Sequence, residues 1–77
     1  MTKEQIEILV AFEVAMQTFA DAWQDPKTSN VQLCVAYGGA AALLILVKQT
    51  TDIKEVAVKA ADLLNAAAEQ LGLPATN

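Results

Sequence analysis

Hydrophobic residues recur at intervals of three and four in three segments of the chain, and short polar stretches separate the segments. This spacing places apolar side chains on one face of an α-helix. It predicts helices at residues 2–24, 30–49 and 52–71. Because the connections between them are short, consecutive helices are expected to pack antiparallel. The pattern therefore predicts one all-α domain over residues 1–77, a three-helix antiparallel bundle.

Capping residues mark the starts of the first two predicted helices. Thr2 with Gln5, and Ser29 with Gln32, have the spacing of a capping box, in which two side chains bond backbone amides at a helix start. Pro26 lies between these helices and disfavours helical geometry in the residue before it. The first helix is therefore expected to end before this proline and the second to begin after Ser29.

The third helix is expected to begin at a cap formed by Thr51 or Asp52. Gly72 can adopt the left-handed conformation that ends many helices, and Leu73 can fold back onto the last turn. Pro74 cannot continue the helix, and we expect the residues after it to fray. The apolar positions of this helix form one stripe: Ile53, Val56, Ala57, Ala60, Leu63, Leu64, Ala67 and Leu71.

The first helix has two apolar stripes. The wider one has the width of a surface that faces a core. Its members are Ile8, Leu9, Phe12, Ala15, Met16, Phe19 and Trp23. The second stripe and its continuation lie on another flank, with Glu13 between the two, and consist of Ile6, Val10, Val14, Gln17 and Asp21. A one-sided amphipathic helix would carry polar residues there, so the second stripe, together with Glu13, is the predicted binding surface for a partner protein.

The second helix is apolar on every side. The fifteen residues from Leu33 to Val47 carry no charge, and such a helix must be covered all round. A membrane span near residues 31–47 is one interpretation, but its length is at the lower limit of the roughly 17 to 25 residues required. Lys27 and Lys48 flank it at opposite ends, so no charge asymmetry favours an orientation. We therefore predict a central helix that is enclosed by protein and disfavour a membrane location.

Two adjacent glycines, Gly38 and Gly39, occur in the middle of this helix, where each costs about 1 kcal/mol relative to alanine. They are useful where another backbone approaches closely, since Gly38 and Ala42 have the small-x-x-x-small spacing of tightly crossing helices. A kink or break that divides the segment is the alternative. The residues on this side of the helix form the predicted dimer seam: Val31, Val35, Gly38, Ala42 and Ile45.

Coverage of the central helix predicts a second chain. Two neighbouring helices cover about two thirds of its circumference. A domain of this size has a small core, and the lone Cys34 cannot form an internal disulfide, so oligomerisation is the expected support. The sequence therefore predicts a two-fold homodimer. The stripe of Ile6, Val10 and Val14 is the alternative seam.

Composition removes several classes of function. The chain has no histidine, no arginine and five lysines, so imidazole catalysis, histidine metal ligation and arginine-based phosphate binding lack their residues. A net charge of −4 disfavours nucleic-acid binding. No glycine-rich phosphate loop or serine-centred elbow occurs. We therefore predict no catalytic residue, no cofactor and no metal, and the mixed charge of the N-terminus indicates a cytoplasmic protein without a signal peptide.

The net negative charge of the chain lies in the segment of the first helix. Residues 1–25 carry one lysine against five acidic residues, whereas residues 26–77 carry four lysines against four acidic residues. An acidic face can dock a protein with a basic surface or keep an apolar dimer soluble. The predicted function is a non-enzymatic protein–protein interaction module, a dimeric helical adaptor or inhibitor that binds its partner through the first helix. Two alternatives are an apolar small-ligand carrier, with a cavity beside residues 38–40, and a small membrane protein.

Overall fold

A computed structural model describes residues 1–73 of the chain, and within them it has three helices and no strand. Helix α1 spans Lys3–Gln24, α2 spans Asn30–Thr50 and α3 spans Lys54–Leu71. The prediction of an all-helical fold with three helices is confirmed.

The central position of α2 organises the packing. Helix α1 packs extensively on α2, α3 packs on α2 to a smaller extent, and α1 and α3 hardly meet. The Gln5 side-chain amide donates a hydrogen bond to the Thr50 carbonyl, so the start of α1 lies beside the end of α2 and the two helices are antiparallel. This bond also satisfies one of the carbonyls left without a partner at the end of a helix.

The core lies between α2 and its two neighbours. Its largest fully buried side chains are Phe12, Phe19, Leu44, Val47 and Leu64. The Phe19 ring packs edge-on against the Tyr37 ring, with centroids 6.2 Å apart. On α3 the buried side chains are mostly alanine: Ala57, Ala60, Ala67 and Ala68, with Leu64. Alanine side chains are short, and α1 and α3 hardly meet.

Both predicted capping boxes are present. The Gln5 backbone amide donates to the Thr2 hydroxyl at 3.2 Å, and the Thr2 backbone amide donates to the Gln5 side-chain carbonyl at 2.8 Å. Ser29 and Gln32 make the equivalent pair at 3.2 and 3.0 Å. These reciprocal bonds fix where α1 and α2 begin.

The predicted cap of α3 is wrong. Ile53 is the N-cap residue, and no side chain makes a capping hydrogen bond there. The Thr51 hydroxyl instead donates to the Val47 carbonyl at 2.8 Å, at the end of α2. The Lys54 amide bonds the Asp52 backbone carbonyl at 3.0 Å. The connection therefore completes α2 before α3 begins.

The end of α3 follows the prediction. Gly72 has a φ of 73°, in the left-handed region, and the Leu73 amide donates to the Ala68 carbonyl at 2.8 Å. This six-to-one bond is the mark of a Schellman motif, and the Leu73 side chain packs against the core. Pro74 and the tail expected to fray lie outside the described residues.

Candidate interaction surfaces

The predicted dimer seam forms one exposed face of α2. The core side of the helix carries Tyr37, Ala40, Leu44 and Val47. All five predicted seam residues lie on the opposite side and are exposed, and we call them the α2 outer face: Val31, Val35, Gly38, Ala42 and Ile45. The two valines, at 73 and 72% exposure, are among the most exposed large hydrophobic residues of the chain. Helices of the same chain therefore leave this apolar face uncovered.

The two glycines of α2 do not break the helix. Helix α2 continues through Gly38 and Gly39 without interruption, so the alternative of two shorter helices is wrong. Both glycines are exposed, and a Cβ built on either one would meet no atom within 4 Å. The close approach that would use these glycines is therefore not made inside one chain. The surface at both residues is open.

Helices α1 and α3 leave a large part of α2 exposed. Only 22% of its most apolar 18-residue window is buried, because α1 and α3 both pack on one side of the helix. Among the described residues, Asn30–Thr50 is the one helix that is long and apolar enough to cross a membrane by length and composition.

The predicted partner-binding residues are all exposed on α1. The stripe of Ile6, Val10 and Val14 points away from the core together with Gln17 and Asp21, and we call these five residues the α1 outer face. The Gln17 side-chain amide donates a hydrogen bond to the Asp21 carboxylate at 2.9 Å, at the polar end of this face. Glu13 is exposed as well, and it lies with Gln17 on the flank of α1 that turns toward α3.

A cleft between α1 and α3 is a third apolar surface. Two adjoining grooves of about 580 and 300 Å³ share Ala20 and Leu63 and together form what we call the α1–α3 cleft. Phe12 lies opposite Val56 at one end. Trp23 lies opposite Gln70 at the other. Residue numbers rise in the same direction on both walls, so α1 and α3 run parallel. No α2 residue lines either groove, so the cleft opens on the side away from the α2 outer face.

The cleft has an apolar floor and rims of opposite charge. Its lining residues are Phe12, Glu13, Met16, Gln17, Phe19, Ala20, Trp23 and Gln24 from α1, and Val56, Lys59, Ala60, Leu63, Ala66, Ala67 and Gln70 from α3. Phe12 and Phe19 are buried and form the floor. Glu13 supplies a carboxylate to the α1 rim, and Lys59 supplies an ammonium group to the α3 rim.

The sequence pattern missed this cleft. It placed Val56 and Leu63 in the core stripe of α3, yet these side chains are 44 and 50% exposed. Their helical positions do face α1, but α1 does not reach them. A possible signal was the pairing of large Val56 and Leu63 with small Ala60 and Ala67 on the same flank, which leaves a groove between projecting side chains.

The described residues include no group of three or more histidine, cysteine, aspartate and glutamate side chains that could hold a metal ion. Cys34 is partly buried. The three surfaces are therefore defined by shape, apolar side chains and rim charges.

The chain matches no protein-family model, no curated protein and no solved structure.

Proposed function

We propose that this protein is a non-enzymatic helical interaction module that forms a homodimer through the α2 outer face and binds a partner protein through α1, as an adaptor or inhibitor. One observation carries the proposal: the outer side of the most apolar helix is exposed along its length and has no charged residue among its five members. Contiguous water-exposed apolar patches often mark interaction sites in soluble proteins.

The arrangement of large and small residues supports a two-fold crossing of α2 on α2. Gly38 and Ala42 lie two residues on either side of Ala40, and Val35 and Ile45 lie five residues on either side of it. In an antiparallel pair that crosses at the level of Ala40, Gly38 of one chain therefore lies opposite Ala42 of the other. Val35 likewise lies opposite Ile45, so small residues meet small ones and large residues meet large ones. This self-complementarity is what an isologous interface requires, and antiparallel helix dipoles attract each other.

The α1 outer face supports the role in partner binding. Its three apolar side chains lie on the helix that carries the whole negative balance of the chain. A partner with apolar residues inside a basic rim would complement this surface, because complementary charge directs association and excludes wrong partners. A cytoplasmic location is part of the same proposal.

A double variant, Ile6→Asp with Val14→Asp, tests the partner surface. Both residues are exposed, so the chain should keep its helicity and its dimer, while the apolar contact with the partner is replaced by two unpaired charges. We expect affinity for the captured partner to fall about tenfold or more. The measurement is affinity capture from a lysate of the source organism, followed by titration of the protein that is retained.

Val58→Asp is the matched control for this variant, since Val58 is equally exposed but lies on α3. It should retain the same proteins as the wild type. Identical protein lists for the wild type and the double variant would contradict a binding role for the α1 outer face.

A small membrane protein is the second candidate, and the length of Asn30–Thr50 together with its uncovered outer face favours it. A bilayer would cover that face as a second chain would. Cell fractionation separates the two, because a membrane protein pellets with membranes and needs detergent, whereas the proposed dimer stays in the supernatant.

A further inference from the structure

We propose that the α1–α3 cleft is a receptor groove for one amphipathic helix of a partner protein. The proposal rests on the interaction role and adds to it a second site, separate from the apolar stripe of the α1 outer face, together with the kind of segment that this site would bind. The occupant is a helix with one apolar stripe, a basic residue on one flank of the stripe and an acidic residue on the other.

The dimensions of the cleft fit a helix. Its walls run from Phe12 to Gln24 on α1 and from Val56 to Gln70 on α3, which is about 20 Å at 1.5 Å per residue. A segment of about 14 residues, or four turns, has the same length. The two walls are parallel helices that hardly touch, so a third helix can lie between them and contact both, as in a four-helix bundle.

Burial along the cleft shows where such a helix gains contact. The floor is already packed, since Phe12 and Phe19 are fully buried. The walls are not, since Val56, Leu63 and Trp23 each keep a third or more of their surface exposed. Half-buried large side chains on both walls are the anchors that an incoming apolar stripe would cover, as in helix-in-groove recognition.

The rim charges specify the flanks and the direction of the occupant. Glu13 on α1 and Lys59 on α3 lie in the same groove, so a helix in the cleft meets a negative charge on one side and a positive charge on the other. A basic residue over Glu13 and an acidic residue over Lys59 satisfy both. Because α1 and α3 are parallel, an occupant that runs antiparallel to them is also favoured by the helix dipoles.

Symmetry argues against a second copy of this chain as the occupant. A two-fold dimer needs one self-complementary surface, and the α2 outer face supplies it on the side away from the cleft. A second copy in the cleft would therefore build a larger assembly, either an open polymer or a closed tetramer. In the α2-paired dimer, each protomer instead presents its cleft outward. The dimer then carries two partner helices on opposite sides, which suits an adaptor.

Trp23 provides the measurement. It is the only tryptophan of the chain and lines the cleft, so burial by a ligand should shift its emission to the blue. The probes are three synthetic 14-residue helical peptides, free of tryptophan and with the same leucine–alanine stripe. Their flanks are lysine and glutamate, lysine on both sides, or glutamate on both sides. We expect the lysine–glutamate peptide to bind about tenfold more tightly than either of the others.

Variants of the full chain locate the binding. Leu63→Glu places a charge at the centre of the cleft and should weaken the lysine–glutamate peptide about tenfold or more. Val58→Glu is the matched control, equally exposed on another side of α3, and should bind as the wild type does. Glu13→Lys is a second variant that leaves the core untouched, and it should remove the preference for mixed flanks.

Three results would overturn the proposal: no saturable change in Trp23 emission, equal affinity for all three peptides, or equal weakening by Leu63→Glu and Val58→Glu. Light scattering on the same samples shows whether the cleft proposal or the proposal of an α2 dimer has failed. A dimer that Leu63→Glu dissociates would show that a second copy occupies the cleft. A monomeric wild type that still prefers the mixed peptide would contradict the α2 seam and leave the groove supported.

Discussion

Replacing Gly38 with leucine is expected to convert the proposed dimer into a monomer without unfolding the chain. A Cβ at this position meets no atom within 4 Å inside one chain, and leucine has a helix propensity about 0.8 kcal/mol better than that of glycine. At the proposed crossing, however, the leucine side chain would meet the partner's helix. Overpacking of this kind costs about 1 to 3 kcal/mol per site, and two-fold symmetry introduces it twice. The dissociation constant should therefore rise at least about thirtyfold.

The measurement is light scattering coupled to size exclusion over a range of concentrations, with circular dichroism to follow helicity. Val10→Glu is the matched control, because Val10 is exposed on the alternative seam and its charge should leave an α2-mediated dimer intact. If the Gly38→Leu variant stays dimeric and the Val10→Glu variant is monomeric, the seam lies on α1 instead. Loss of helicity in Gly38→Leu would contradict the open space at this glycine.

Replacing Phe19 with alanine is expected to give the largest loss of folding stability. Phe19 is 1% exposed, and its ring contacts the Trp23 ring at 5.8 Å between centroids and the Tyr37 ring at 6.2 Å. Truncation of a buried phenylalanine costs about 3 to 5 kcal/mol. The whole domain is stabilised by about 4 to 12 kcal/mol at the usual 0.05 to 0.15 kcal/mol per residue. The midpoint of thermal unfolding should therefore fall by roughly 15 to 30 °C.

Thermal denaturation followed by circular dichroism at 222 nm measures this effect, at one fixed chain concentration because the proposed dimerisation would make the midpoint depend on concentration. Val14→Ala removes an exposed side chain from the same helix and should change the free energy of unfolding by less than about 0.5 kcal/mol. A midpoint for Phe19→Ala within a few degrees of the wild type would show that the three aromatic rings do not form the core of α1 and α2.

Local chemistry made the helices predictable. The capping boxes at Thr2 and Ser29 act within one turn of chain, so their residue types and spacing determine where α1 and α2 begin. The left-handed Gly72 is local in the same way. The start of α3 was less predictable, because the Thr51 hydroxyl had two competing uses, and in the folded chain it bonds a carbonyl at the end of α2.

The surfaces were predictable only in part. The α2 outer face followed from periodicity, because its residues share one side of a helix and the chain has too few other helices to cover it. The α1–α3 cleft did not follow. Val56 and Leu63 belong to the same stripe as the fully buried Leu64, and periodicity cannot distinguish a side chain that meets a neighbouring helix from one that faces a gap. That gap depends on the distance between α1 and α3, which short alanine side chains and contacts with α2 determine together.

A second copy of the chain is proposed to cover the exposed outer face of α2. The molar mass of the wild-type protein in buffer without detergent, measured by light scattering coupled to size exclusion at micromolar concentration, tests this. The proposal predicts twice the 8.2 kDa of one chain. A mass of 8.2 kDa at micromolar concentration, or a protein that leaves the membrane fraction only in detergent, would contradict the proposal.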